Sequence, residues 1–186
     1  MTKREHSSGV RIRPLISSDE IQRRLTGLVS EIAGDLPHTE IVLVGLMRGA
    51  FMFISDLARM FYYHQIPIQI DFMTTVSYEG KRSSGRVRVL KDVGEDLTDR
   101  DVLLVDDVLD TGLTLEHAYK LLSERKARSL QTCVLLDKQV ARTISLKPTY
   151  VGFTIDDAYV VGYGLDYNNR FRELPFIGVL EDAPEG

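Results

Sequence analysis

The chain has 186 residues, of which 44% are hydrophobic and 27% charged, and its formal net charge is -4. That length suits one domain with a proper core and is short for two, and the composition is that of a globular chain rather than a disordered or bilayer-embedded one. An acidic balance argues against a general nucleic-acid binder, and no apolar run reaches the roughly 18–20 residues that cross a bilayer.

The polar start, Met1 to His6, lacks the apolar core of a secretion signal. Cys133, the single cysteine, cannot form an internal disulfide and lies in the apolar run Cys133-Val-Leu-Leu136, as a core residue of a cytoplasmic protein would. His6, His38, His64 and His117 are scattered and not at ligand spacing, so none is assigned to a metal or to catalysis.

In chain order, Ser17 followed by Glu20 forms a capping-box pattern, and Ile21, Leu25, Leu28 and Ile32 then recur at helical spacing until Gly34. Ile41 to Val44 predicts a short strand, running through Gly45 and Gly49 into a helix over Phe51 to Tyr63. A second strand, Ile66 to Thr75, leads into a polar loop. Val102 to Val105 is a continuous apolar run, as expected of a central parallel strand covered on both faces. A helix carrying Leu115, Ala118, Tyr119 and Leu122 follows, and Leu130 to Leu136 repeats the strand signal. Alternating strands and helices predict an α/β domain with a central, mostly parallel sheet flanked by helices, whose ligands bind beyond the carboxyl ends of the strands. From Tyr150 onward the chain shows only short β-like pieces, at Tyr150 to Thr154, Tyr159 to Val161 and Phe176 to Leu180, which predicts a small appended β-rich subdomain.

Chemistry concentrates where the Val102 to Val105 strand runs into Asp106, Asp107 and Asp110 and then Thr111-Gly112-Leu113-Thr114 at a helix start. Three carboxylates within five residues repel one another, which suggests a magnesium-linked, hydroxyl-rich or proton-accepting ligand. The turn adds the opposite sign, with free N–H groups, two hydroxyls and a glycine that admits an oxyanion closely, so it reads as a phosphate cradle. An acid before a helix is often an ordinary cap, but two acids at a strand end beside such a turn are not. Gly-x-x-x-x-Gly-Lys is absent, as is Gly-x-Gly-x-x-Gly after a strand.

This segment resembles the phosphoribosyl-diphosphate signature of type I phosphoribosyltransferases: an apolar strand, two acids, two apolar residues, a variable position, then Thr-Gly-x-Thr. The resemblance implies that Asp106 and Asp107 hold the ribose 2′ and 3′ hydroxyls and that Asp110, Thr111, Gly112, Leu113 and Thr114 hold the 5′-phosphate. Asp106 stands where the 6-oxopurine enzymes often have Glu. The variable position is Asp110, and an acid there contacts N7 of the base in those enzymes. Tyr159-Val-Val-Gly-Tyr-Gly-Leu-Asp-Tyr-Asn168 looks like the base-binding hood of the hypoxanthine-guanine members.

By resemblance Tyr159, in place of a more usual Phe, stacks on the purine, and Val160 offers backbone groups to its edge. Asp166 joins Asp106 and Asp107 at magnesium, and Arg172 meets pyrophosphate. Lys138 donates to the exocyclic O6. Outside the family pattern Tyr159 would read as core, and Lys138 and Arg172 as solvated surface charges. Gly45-Leu-Met-Arg-Gly-Ala50 matches the pyrophosphate loop, where Met47, Arg48 and Gly49 would bind and the Met47-Arg48 peptide can be cis; Arg48 replaces a common lysine. Ser77 and Tyr78, followed by Glu79 to Gly85, match a mobile loop that closes over the reacting centre.

The resemblance implies transfer of the 5-phosphoribosyl group from phosphoribosyl diphosphate to N9 of hypoxanthine or guanine, with Mg2+, in purine salvage. It implies one domain with its core over about 36–148, a hood from the N-terminal segment plus about 149–186, and a homodimer or homotetramer. A xanthine-guanine enzyme shares Asp110 but usually lacks the Leu165 to Asn168 tail. A regulatory RNA-binding relative would need a basic surface.

Overall fold

Residues 10–36, 40–77, 87–140, 142 and 144–181 are described by the structure, a computed structural model. A short strand, β1 (Ile12–Ile16), precedes the capping box, in which the Glu20 N–H donates to the Ser17 hydroxyl at 3.3 Å and the Ser17 N–H to the Glu20 carboxylate at 2.8 Å. The helix it opens, α1 (Ser18–Asp35), buries Ile21, Leu25, Leu28 and Ile32, so the predicted stripe is the buried one. Gly34 lies inside the helix, which ends one residue later with the Leu36 N–H on the Ile32 carbonyl.

The main sheet contains β2 (Ile41–Met47), β3 (Ile68–Ser77), β4 (Val87–Lys91), β5 (Asp101–Leu109), β6 (Ser129–Lys138) and β7 (Tyr150–Ile155), in the order β4-β3-β2-β5-β6-β7. Only the β3–β4 pairing is antiparallel. Between strands lie α2 (Phe51–Tyr63) and α3 (Leu113–Ser123). Because successive strand residues face opposite sides, Leu43, Leu103 and Leu135 join the core with α1 and α2, while Val42, Val102 and Val134 join the core under α3. Helices on both faces make the central strands apolar at every position, the continuous pattern that the sequence shows.

Besides β1, which the sequence pattern did not indicate, three segments differ from expectation. The β5 strand continues past Val105 to Leu109, so Asp106 and Asp107 lie on the strand itself. The β4 strand was not foreseen: at a sheet edge, Val87-Arg-Val-Leu-Lys91 carries exposed polar side chains that hide the pattern. Tyr150 to Thr154, assigned from sequence to the appended subdomain, belongs to β7, which pairs with β6 from Cys133↔Tyr150 to Lys138↔Ile155. No helix occurs among the described residues of the β6–β7 connection, so the strand–helix–strand alternation that marks a parallel sheet is missing there.

The hood is a separate sheet in the order β1-β9-β8, with β8 (Val160–Val161) and β9 (Ile177–Leu180). Ile12, Val161, Phe171, Leu174 and Leu180 form its core. Its strands β8 and β9 follow β7, and the segment Tyr159 to Asp166 borders Asp107 of β5 and Lys138 of β6 at the carboxyl ends of those strands.

Candidate active site

The acids on β5 meet at the carboxyl end of the sheet. Asp106 is 7% exposed, and its carboxylate accepts the Asp107 N–H at 3.0 Å. Burial holds the Asp106 carboxyl well above the usual carboxylate range, and the neighbouring Asp107 charge adds to this. Burial also raises Asp107, while hydrogen bonds from Asp106 and the local backbone and the positive charge of Arg172 pull it back. The pair therefore holds a proton more readily than two free carboxylates would.

Beyond β5 the chain turns through Asp110, Thr111 and Gly112 into α3. Gly112 has φ 80° and stands at the helix N-cap, a conformation that favours glycine, and a Cβ there would also displace the tip of the Ile144 side chain. No side chain caps this helix start. The first N–H groups of α3, with the Thr111 and Thr114 hydroxyls, suit an anion.

From β2, the Met47–Gly49 loop approaches the same place. Its Met47-Arg48 peptide is cis, Arg48 is exposed, and a Cβ on Gly49 would overlap the Asp107 carboxylate. A cavity of about 470 Å³ is lined by Met47, Arg48 and Gly49, by Asp106 and Asp107, and by the turn Asp110 to Thr114. Ser77 ends β3, whereas Tyr78 and Glu79 to Gly85, the expected mobile loop, lie outside the described residues.

A second cavity, of about 230 Å³, lies between the main sheet and the hood, lined by Asp107, Val108, Asp110, Lys138, Tyr159, Val160, Leu165 and Asp166. The residues expected to read the base thus share one pocket, and it meets the larger cavity at Asp107, Val108 and Asp110. Lys138 closes β6; its ammonium is 2.8 Å from the Asp110 carboxylate and 3.5 Å from that of Asp157. The Tyr159 ring is 47% exposed and stands edge-on to Tyr167 at 5.6 Å, with its hydroxyl donating to the Asp166 carbonyl at 3.3 Å. Val160 is held by pairing with Val179 of β9.

Arg172 and Asp166 are placed less simply. The Arg172 guanidinium donates to the Gly164 carbonyl at 2.5 Å and pairs with the Asp166 carboxylate at 2.6 Å, and Asp166 also accepts the Asn169 N–H at 2.7 Å. Asp166 is thus engaged within the hood. Among the described residues no three His, Cys, Asp or Glu side chains converge as a metal cage, so Asp106, Asp107 and Asp166 do not form one by themselves. The Gly164 backbone abuts the Gly49 carbonyl, and the Tyr163 hydroxyl donates to Asp56 of α2 at 2.7 Å, tying the hood to the Met47–Gly49 loop and to the helix after it.

Sequence reasoning missed the Lys138–Asp110 pair, which joins residues 28 apart, and missed Arg142 altogether. Arg142 lies in the β6–β7 connection and bonds to Asp110, Leu109, Asp137 and Lys138. One arginine in an irregular connection carries no periodic or motif signal.

The profile of the family described as "Phosphoribosyl transferase domain" matches residues 17–168. The chain is 40% identical over 170 residues to the hypoxanthine-guanine phosphoribosyltransferase of Bacillus subtilis, covering 91% of this chain and 93% of that one. It is 43% identical over 167 residues to the hypoxanthine phosphoribosyltransferase of Salmonella typhimurium, covering 88% and 92%. Among solved structures, the hypoxanthine phosphoribosyltransferase of Staphylococcus aureus superposes with a TM-score of 0.85 at 39% identity over 91% of each chain. That of Trypanosoma cruzi gives 0.87 at 37% identity over 95% of this chain and 94% of that one. On fold and sequence alike, the chain belongs to the phosphoribosyl transferase domain family, among its hypoxanthine and hypoxanthine-guanine phosphoribosyltransferases.

Proposed function

We infer that the chain transfers the 5-phosphoribosyl group of phosphoribosyl diphosphate to N9 of hypoxanthine or guanine, giving IMP or GMP and pyrophosphate. One observation carries this reading: the larger, acid-lined cavity and the smaller, base-sized one meet at Asp107 and Asp110. A donor in the first and a purine in the second would bring sugar C1 and N9 together at that junction. The names of the relatives favour the same chemistry.

In this reading the α3 turn, Asp110 to Thr114, holds the 5′-phosphate, and Asp106 and Asp107 accept hydrogen bonds from the ribose hydroxyls. Met47, Arg48 and Gly49 take the pyrophosphate, with Arg172 adding positive charge from the hood side. Lys138 donates to O6, Tyr159 stacks on the purine, and backbone groups at Val160 meet its edge. Asp110 accepts or returns the proton at N7 as charge builds on the ring.

Two adjacent carboxylates fit Mg2+, which takes one or two protein acids and fills its other positions with phosphate oxygens and water. When bound with the donor, Mg2+ supplies positive charge against the leaving pyrophosphate. Asp106 and Asp107 would hold that ion, and Asp166 would join them only on leaving Arg172. We further place the protein in the cytoplasm as a homodimer or homotetramer, in line with its family.

The test is product formation. The protein, phosphoribosyl diphosphate, Mg2+ and hypoxanthine are expected to yield IMP and pyrophosphate in equal amounts. Folded protein that yields neither excludes the reading.

A further inference from the structure

The β6–β7 connection folds back on the site and meets it twice. Ile144 packs against Gly112, beneath the phosphate turn. Two residues earlier, the Arg142 guanidinium faces four acceptors, from the end of β5 and the turn after it and from the end of β6. Its Nε donates to the Asp110 carbonyl at 2.6 Å. Its Nη2 is shared among the Leu109 carbonyl at 2.7 Å, the Asp137 carboxylate at 2.5 Å and the Lys138 carbonyl.

The side chain is 17% exposed, so these bonds are shielded from water. The carbonyls of Leu109, Asp110 and Lys138 converge on one point, where they would repel one another without a cation. A guanidinium presents several donors in one rigid plane and meets them at once; a lysine ammonium has no such plane.

The backbones held in this way are those that carry Asp110 and Lys138, whose side chains meet at 2.8 Å in the smaller cavity. We propose that Arg142 is a positioning residue: it locks the end of β6 to the turn after β5 and so sets the separation at which Asp110 and Lys138 read a 6-oxopurine. Asp137 orients Arg142 in turn. The inference rests on the purine-transfer reading and adds a residue that touches neither substrate.

The test is a split between the two Michaelis constants of the full-length protein, because a Michaelis constant does not depend on what fraction of a preparation is active. In Arg142→Gln, the KM for hypoxanthine is expected to rise about tenfold or more while the KM for phosphoribosyl diphosphate stays within about threefold. With the accompanying fall in kcat, kcat/KM drops on the order of 10², as misplacement by about 1 Å can cause. Arg142→Lys, which keeps the charge and loses the fork, is expected to behave like Arg142→Gln. Should these variants not fold, Asp137→Asn leaves the guanidinium in place and is expected to raise the hypoxanthine KM about threefold or more.

Folded Arg142→Gln with both Michaelis constants unchanged overturns the proposal, as does equal restoration of the hypoxanthine KM by lysine. In a preparation without folded arginine variants, an unchanged hypoxanthine KM in Asp137→Asn overturns it too. A parent protein that forms no IMP instead overturns the purine-transfer reading.

Discussion

Asp110 stands where the two cavities meet, with Lys138 holding its carboxylate at 2.8 Å and Arg142 holding its carbonyl at 2.6 Å. Replacing it by Asn preserves shape and removes the charge that accepts a proton. Turnover of Asp110→Asn is expected to fall by on the order of 10²–10⁴ while calorimetry still shows donor binding. A folded variant within about threefold of the parent would remove Asp110 from the proton path. Asp106 makes a different prediction, about stability. Burial and the Asp107 charge raise its folded-state pKa above that of the unfolded chain, so the native form holds a proton to higher pH. The stability it allows is full below the ordinary carboxylate value of about 4 and is lost as pH rises through the raised folded value. Asp106→Asn is therefore expected to melt higher than the ligand-free parent at neutral pH, by about 2–4 °C per kcal/mol relieved, with the gain shrinking toward pH 4. Melting curves across that range check the sign, and a variant that melts lower at neutral pH contradicts it. Of these residues, the acids and the turn were legible in the sequence because they are consecutive and their chemistry is unusual. The partners that hold them, Arg142 and Lys138, come from another strand end and its connection, a placement that only the sheet order creates.

Elements position the site through close backbone approach. The loop after β2 can reach Asp107 only because residue 49 has no side chain: a Cβ there would overlap the carboxylate. Gly49→Ala must push Asp107 aside, because the added Cβ would overlap the carboxylate carbon as well as its oxygens. The expected result is donor affinity weakened about tenfold or more, read by calorimetry with Mg2+ present, with the circular dichroism of the parent retained. Unchanged affinity would mean that Asp107 does not meet the donor from where it now lies. At this scale the sequence was most legible where local and tertiary signals agree. The α2 helix runs over Phe51–Tyr63 as expected, and the Ser17 capping box opens α1. It was least legible at β4 and β7. Edge exposure blurs the apolar pattern of β4, and β7 joins the sheet through a connection in which no described residue is helical.

At the scale of the whole molecule, the sheet brings the Asp110 to Thr114 turn, the Met47–Gly49 loop and the smaller cavity to one edge, beside a hood that joins β1 to β8 and β9. The hood is anchored at Tyr163–Asp56 and by Gly164 against Gly49, so its position depends on the Met47–Gly49 loop and α2 beneath it. That union of donor and base sites is the central claim, and the choice of base tests it most directly. With phosphoribosyl diphosphate and Mg2+, the initial rate of nucleotide formation is measured for hypoxanthine, guanine, xanthine, adenine and uracil. Lys138 offers donors only, so adenine, whose 6-amino group is also a donor, would leave buried groups unpaired, and such sites discriminate by as much as about 10⁴. The account predicts rapid nucleotide formation from hypoxanthine or guanine and little from adenine or uracil; adenine or uracil used as well as hypoxanthine would contradict it.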